Sequence, residues 1–267
     1  DIGGTFTDIA LIDEATGQVH NDKVLSTPHD PSLGFIEAVE RLVREHDVSP
    51  EGVDYIVHAT TVATNAIIEG KVAATGFITT EGFRDMLEIA RQIRPELYNL
   101  QFEKPKPLVP RHRCYGVVER LDARGEVLVP LDEEGLRQAA SELKQAGVES
   151  LAVCFLHAYA NPVHERRAGQ VLAEVFPEAM VSLSSQVAPE FREYLRASTT
   201  VINGCIRPVV ARYLQKIEER LQVAGFAAQL LVMQSGGGVY TAAAAQEQPV
   251  YMVESGPAAG VIAAAHL

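Results

Sequence analysis

The sequence predicts an α/β protein. Short apolar runs alternate along the chain with segments whose apolar residues recur at helical spacing, the pattern of strands interleaved with covering helices. One run, Ser150–Leu156, is apolar enough to be a strand buried on both faces, as in a parallel sheet. At 267 residues the chain is long enough for two modest domains or one large α/β unit with an ample core.

Each element follows from local signals. Alternating residues in Ile2–Asp13 and Gln18–Leu25, separated by Glu14-Ala15-Thr16-Gly17, predict a hairpin. Asp30-Pro31-Ser32 supplies a cap and a proline for the first turn of a helix over 31–46, in which Phe35, Ile36, Val39, Leu42 and Val43 form one apolar face. Val53–His58 reads as a short strand. Thr60 or Thr61 caps a helix running to Glu69, and Val72–Thr79 is the next strand. Pro95, Pro105, Pro107 and Pro110 forbid a long helix or central strand between Arg91 and Arg113, leaving a long loop. Cys114–Leu121 and Glu126–Val129 flank Asp122-Ala123-Arg124-Gly125 as a second hairpin; helices follow over 136–146 and 162–176, on either side of the 150–156 strand. A domain border is expected near Ser182–Ser185, dividing the chain into 1–183 and 184–267. Beyond it, 190–223 predicts two helices or one kinked near Ile206, because Gly204 and Pro208 lie inside the periodic stretch. Leu230–Met233 is a strand leading to Gly236-Gly237-Gly238, and 258–267 reads as a helix.

Composition narrows the function classes. With 23 Lys and Arg against 35 Asp and Glu, the formal charge is −12, opposite to the footprint of a nucleic-acid or anionic-membrane binder. The longest nearly apolar stretches, Leu151–Leu156 and Ala258–Ala265, fall far short of the ~18–20 residues of a membrane span, so a soluble, cytoplasmic protein is expected. Cys114, Cys154 and Cys205 have no metal-ligand spacing and read as small buried hydrophobes kept reduced. His112, His157 and His164 likewise lack companions at ligand spacing.

The chemistry concentrates at the start, in Asp1-Ile2-Gly3-Gly4-Thr5-Phe6-Thr7-Asp8. Paired glycines let backbone N–H groups approach phosphate oxygens, Thr5 and Thr7 add hydroxyls, and Asp1 or Asp8 can hold Mg²⁺ or its waters. The same residues also suit a plain tight turn or bulge. Neither the Gly-Lys-Ser/Thr phosphate loop nor the G-x-G-x-x-G dinucleotide pattern is present. His58-Ala59-Thr60-Thr61 falls between a strand end and a helix start, where N–H groups and hydroxyls can meet an anion, with Asn65 one turn on. The alternatives there are a simple helix cap and a satisfied buried histidine. Arg91, Arg94 and Tyr98 in the prolyl loop either close over a ligand or face solvent.

Asp-Ile-Gly-Gly-Thr-Phe-Thr-Asp resembles the first phosphate motif of the actin/sugar kinase/Hsp70 ATPase superfamily, in the form used by the hydantoinase A/5-oxoprolinase/acetone carboxylase β-subunit family. His58–Ala66, Thr80–Asp85, Glu193–Asn203, Met233–Gly238 and Glu254–Gly260 are similar to later blocks of that family, in order along the chain. The resemblance implies an actin-like (ribonuclease H-like) ATPase lobe with a mixed sheet, followed by the start of a second α/β domain. It implies an ATP- and Mg²⁺-dependent reaction on a lactam, hydantoin or ketone, in which the γ-phosphate activates an oxygen for C–N hydrolysis or carboxylation. Asp1 would position the metal; Gly3, Gly4, Thr5 and Thr7 would cradle phosphate; Asp8 and His58 would serve catalysis; Thr60, Thr61, Asn65, Arg91 and Arg196 would face the substrate. A hydantoinase B-like subunit or domain and an oligomeric full-length protein are the implied partners. The alternatives within the resemblance are a partner-dependent, non-catalytic subunit and a sugar or acyl kinase. Two departures stand out: Gly236 occupies a position where the family often has Asp or Asn, and no second Asp-x-Gly-Gly-Thr follows Glu254–Gly260. A portion of a longer enzyme, inactive alone, is therefore expected.

Overall fold

Alternation in the first twenty-five residues produces the expected hairpin. In the computed structural model, which describes residues 2–3, 5–27, 29–93, 95–256, 258 and 261, β1 (Phe6–Asp13) pairs antiparallel with β2 (Gln18–Leu25), around a turn where Gly17 takes φ 71°. Phe6 and Ile12 lie opposite Leu25 and Val19 on one face, all four exposed; Thr7 and Val24 on the other face are buried. That second face is covered by α1 (Pro31–Glu45), which buries Phe35, Ala38, Val39, Leu42 and Val43. Asp30 caps α1 by accepting from the Ser32 amide, and its carboxylate also meets Arg220 Nη2 at 2.9 Å. A short 3₁₀ turn then leads to β3 (Tyr55–His58) and α2 (Val62–Ile68).

Residues 72–208 form a compact unit of their own, while 1–71 and 209–267 together form the other. The first strand of the 72–208 unit is β4 (Thr75–Thr80), fully buried, followed by α3 (Met86–Ile89), which periodicity had not announced. The prolyl segment is irregular to Pro110, as expected. Cys114–Leu121, expected as one hairpin strand, instead divides. β5 (Cys114–Val117) pairs parallel with β4, and only β6 (Arg120–Leu121) turns back on β7 (Val127–Val129). Apolar Cys114 and Val117 gain more by entering the sheet core than by lying in an exposed ribbon. The unit continues through α4 (Glu133–Gln145), β8 (Ser150–Cys154), α5 (Val163–Val175), β9 (Met180–Leu183) and α6 (Ser184–Val187). Its sheet order is β5-β4-β8-β9, all parallel. Every residue of β8 is buried, the double-sided burial its composition predicts. One face packs Ile78, Leu143, Leu151, Val153, Phe155 and Leu172 beneath α4 and α5. The other packs Phe77, Cys114, Ala152, Cys154, Val201 and Cys205. All three cysteines are free and buried, and burial pushes the Cys114 thiol up to about 11 and Cys154 to about 12.

Residues 182–185 lie inside this unit, where β9 runs directly into α6. The 190–223 stretch is one helix, α7 (Glu193–Val223), with Pro208 inside it. Proline removes the donor that would reach the Gly204 carbonyl. The next carbonyl, of Cys205, accepts instead from the Ala73 amide at 2.9 Å. Gly204 lets α7 approach the sheet: a Cβ there would lie 3.3 Å from Ser150 Oγ and Thr75 Cγ2. Past α7, the chain returns to the first unit with β10 (Gln229–Met233), β11 (Val239–Thr241) and α8 (Ala242–Glu247). β10 pairs antiparallel with β11 and parallel with β3, giving this unit a mixed sheet. A 3₁₀ turn over Pro249–Met252 precedes Glu254; most of the helix expected over 258–267 lies outside the described residues. No helix among the described residues is long and apolar enough to cross a membrane.

Candidate functional site

Three segments far apart in sequence meet in the first unit. Ile2 donates its amide to the Ala59 carbonyl at 3.1 Å and bridges Thr60 in parallel fashion and Thr7 in antiparallel fashion. The Gly3 amide closes a tight turn onto the Phe6 carbonyl at 3.0 Å, where a Cβ on Gly3 would come within 3.3 Å of that oxygen. Ser26 supports the turn from β2's end: its hydroxyl donates to the Gly3 carbonyl at 2.8 Å and contacts Thr7 Oγ1 at 3.1 Å, while its amide donates to the Thr5 carbonyl. Thr61 Oγ1 reaches the Ile2 carbonyl at 3.4 Å, and Asn65 Nδ2 donates to Thr61 Oγ1 at 3.1 Å.

The third segment is Glu254-Ser255. The Glu254 amide donates to Thr64 Oγ1 at 3.2 Å and Ser255 Oγ to the Thr60 carbonyl at 3.4 Å. Glu254 takes φ 65°, a left-handed conformation that costs a non-glycine residue on the order of 1 kcal/mol or more and that concentrates at functional sites. The glycine-rich stretch after β10 holds this segment: Ser235 donates to the Tyr251 and Val253 carbonyls, and Gly237 takes φ 87° in its turn. A Cβ on Gly236 would meet nothing within 4 Å, so the departure there leaves open space.

His58 lies beneath this convergence, 1% exposed, its Nε2 2.8 Å from the Tyr213 hydroxyl and its ring edge-on to Phe35. Burial lowers its pKa to about 3, so the imidazole is neutral at ordinary pH. The Tyr213 hydroxyl also engages the Thr60 side chain, and burial pushes that phenol up. Tyr213 sits mid-helix in a periodic apolar stretch, which gave no sign of this role. The buried-histidine alternative thus describes where His58 is: it braces the 60–61 turn from below. Thr7 is similarly buried, with its hydroxyl turned to Ser26, whereas Thr5, Thr61 and Asn65 retain exposure at the mouth. Asp8 stands half-exposed on the outer face of β1, 2.9 Å from Lys23 Nζ. Asp1 and Gly4 lie outside the described residues.

Arg91 and Arg196 belong to the second unit. Arg196 is 2% exposed and spends its guanidinium internally: Nε donates to Ser184 Oγ, Nη1 to the Glu190 carbonyl and Nη2 to the Phe155 carbonyl. Ser184 in turn donates to buried Glu165, which also receives the Phe155 and Ser185 amides. This closed network ties three chain segments together, and sequence spacing alone does not reveal it. Arg91 is exposed, between Ala90 and Gln92 at φ 53° and 51°. His164 pairs with Glu119 at 2.7 Å, and no group of three or more His, Cys, Asp or Glu suited to a metal occurs among the described residues.

The mixed α/β architecture, with its close superposition on solved relatives, is that of an actin-like ATPase-type protein, the class expected from the sequence. The chain belongs to the hydantoinase/oxoprolinase family: the family's N-terminal region matches residues 1–176 and a second hydantoinase/oxoprolinase region matches 196–267. It is similar to an uncharacterized protein of Methanocaldococcus jannaschii, 43% identical over the whole of this chain and 39% of that protein. It is also similar to caprolactamase subunit alpha of Pseudomonas jessenii, 33% identical over 97% of this chain and 38% of that subunit. The solved nucleotide-free structure of acetone carboxylase, described for ATP-dependent acetone carboxylation, superposes with a TM-score of 0.87 at 29% identity, covering 98% of this chain and 39% of that one. The chain thus spans about two fifths of the length of these relatives.

Proposed function

We propose that this chain supplies the nucleotide-binding lobe of an ATP-dependent enzyme that opens a cyclic amide. The observation that carries the reading is the convergence of Ile2, Thr60–Asn65 and Glu254-Ser255, joined by the Ile2–Thr60 bridge. Thr5, Thr61 and Asn65 keep side chains at least partly exposed at that point, and hydroxyl and amide donors suit phosphate oxygens without a basic surface. It also accounts for an anion site in a chain of charge −12.

An amide carbonyl is a poor electrophile because its nitrogen lone pair is shared with it. Attack of the lactam oxygen on the γ-phosphorus releases ADP and leaves an O-phosphorylated carbon. Water then adds at that carbon and the C–N bond breaks with its electrons going to nitrogen, leaving an acyl phosphate; a second water hydrolyses it and phosphate departs, so that one ATP and two waters yield amino acid, ADP and phosphate. Gly3, Gly4 and Thr5 cradle the phosphates in this reading, with Thr60, Thr61 and Asn65 orienting the transferred group. Thr7, His58 and Tyr213 fix the turn from beneath. Mg²⁺ takes one or two carboxylates and otherwise phosphate and water, and in this reading Asp1 would hold it, with Asp8 as a second polar anchor or base. The metal would offset charge developing between the phosphates. Arg91 remains a candidate substrate contact, while Arg196 is assigned to the internal network.

Residues 1–183 and 184–267 are proposed as the family's N-terminal domain and the beginning of the next, a division supported by the matches at 1–176 and 196–267. A cytoplasmic location belongs to the same proposal, supported by the free, buried cysteines. A second reading is favoured by the relative named as a subunit: the full-length protein turns over only with a hydantoinase B-like partner. Residues 1–267 alone are expected to show no turnover.

The test is ADP release by the full-length protein with and without such a partner, against caprolactam, 5-oxoproline and hydantoin, and against acetone with bicarbonate. Lactam-stimulated ADP release, lost in Gly3→Val, supports ring opening. Release stimulated only by ketone and bicarbonate moves the assignment to carboxylation, and absence of Mg·ATP binding overturns it.

A further inference from the structure

The turn assigned to the phosphates is held by a residue that lies outside its sequence motif. A turn that receives an anion tolerates no bare carbonyl beside it, because a carbonyl oxygen facing phosphate oxygens repels them, so its carbonyls need donors from the protein. The Phe6 carbonyl accepts from the Gly3 amide at 3.0 Å, the Gly3 carbonyl from Ser26 Oγ at 2.8 Å and the Thr5 carbonyl from the Ser26 amide at 2.9 Å. Two of these three donors belong to Ser26, 23 positions beyond Gly3.

A serine hydroxyl has one proton to give. Ser26 gives it to the Gly3 carbonyl, so the 3.1 Å contact between Ser26 Oγ and Thr7 Oγ1 runs the other way, with Thr7 donating. That commits the proton of Thr7, which is 3% exposed, to Ser26 and removes Thr7 from the phosphate contacts that its place in the motif suggests. The order is Thr7 to Ser26 to Gly3, all donating in one direction. Ser26 is fixed in turn by its neighbour. Thr27 Oγ1 donates to the Asp30 carbonyl at 2.6 Å and accepts from the Gly34 amide at 2.9 Å, which ties the end of β2 to the start of α1. Gly34 permits this approach, since a Cβ there would lie 3.2 Å from Thr27 Oγ1. A turn supported in this way is already ordered before a ligand arrives.

We propose that Ser26 is a positioning residue for the nucleotide's phosphates: it holds the Gly3 and Thr5 carbonyls against the protein, and Thr7 acts through Ser26 instead of on the nucleotide. This rests on the nucleotide-binding reading above. The competing role is a plain brace of the hairpin, which would affect folding and leave nucleotide affinity alone.

The experiment measures the dissociation constant of Mg·ATP for the full-length protein by calorimetric titration, with urea denaturation of each variant beside it. Ser26→Ala is expected to weaken binding roughly three- to tenfold, the effect of losing one hydrogen bond of this kind. Ser26→Thr, which keeps a hydroxyl, restores it. Thr7→Val removes the first donor at nearly constant volume and gives part of the same loss. The double variant, Ser26→Ala with Thr7→Val, binds no worse than Ser26→Ala alone, because both substitutions break one chain of hydrogen bonds. Thr16→Ala loosens the turn between β1 and β2, where Thr16 Oγ1 donates to Asp13, and leaves Mg·ATP affinity unchanged. Wild-type affinity in Ser26→Ala overturns the positioning role, while the nucleotide reading then stands on the loss in Gly3→Val. Should Ser26→Ala fail to fold, wild-type affinity in Thr7→Val overturns the role in its place. Losses in Thr7→Val and Ser26→Ala that add in full mean that Thr7 touches the nucleotide directly, and equal losses in Ser26→Ala and Thr16→Ala reduce Ser26 to a brace; either result overturns the proposal. A wild-type protein that binds no Mg·ATP removes the proposal and the reading together.

Discussion

The two units spend their residues differently. In the 72–208 unit, β4 and β8 are buried along their whole lengths between helices on both faces, and even its charged groups, Glu165 and Arg196, are enclosed and mutually supported. In the other unit, β1 has one buried residue in eight, Thr7, and the outer face of the hairpin, with Phe6, Ile12, Val19 and Leu25, is open. Besides its apolar core, that unit buries the polar His58, Thr60 and Ser255 where its distant segments meet. The difference shows how one chain separates a packed scaffold from a site. Packing density stabilises the first, while the second keeps the hydroxyl and amide side chains of Thr5, Thr61 and Asn65 at least partly exposed where its distant segments meet.

That contrast can be broken by mutation. The largest effect is expected in the scaffold: Phe155→Ala removes a fully buried ring between β8 and the helices and should lower unfolding free energy by about 3–5 kcal/mol. Urea denaturation measures it, and a loss below about 1 kcal/mol would mean that the second unit is not the packed scaffold described. Next comes acid. His58 binds a proton readily when unfolded, near 6.5, but only near 3 when folded, because burial disfavours its charged form. The unfolded chain therefore holds more protons between those values. Stability is intact above about pH 6.5 and falls as the pH drops toward 3, with a limiting slope on the order of 1 kcal/mol per pH unit. Hydrogen exchange of β3 and α2 across that range reads the slope, His58→Gln should flatten it, and an imidazole NMR midpoint near 6.5 would refute the burial.

Smaller effects sharpen the comparison. Tyr213→Phe keeps the ring and removes only the hydroxyl shared with His58 and Thr60, for a cost of about 1 kcal/mol. Its mark should be faster exchange at the 60–62 amides with the second unit unaffected; equal change in both units would make Tyr213 an ordinary core residue. Ile12→Ser, on the open face of β1, is expected within about 0.5 kcal/mol of the parent in the same urea titration. A larger loss would show that this face is covered in solution.

The sequence by itself determined the α/β class, the hairpin, the helices expected over 31–46, 136–146 and 162–176, found at Pro31–Glu45, Glu133–Gln145 and Val163–Val175, and the double-sided burial of β8. Those features are local: periodicity, proline and glycine act within a few residues of one another, and motif order needs no coordinates. Tertiary structure decided the rest. Cys114–Leu121 divides because half of it completes a sheet with a strand more than thirty residues earlier, and Tyr213 reaches His58 across 155 positions. Arg196 and Glu165 become a closed network, and Glu254 joins Thr64 across 190 positions. Burial, and with it the neutral state of His58, is a property of what packs around a residue, and the chain carries that information only once its distant segments have met.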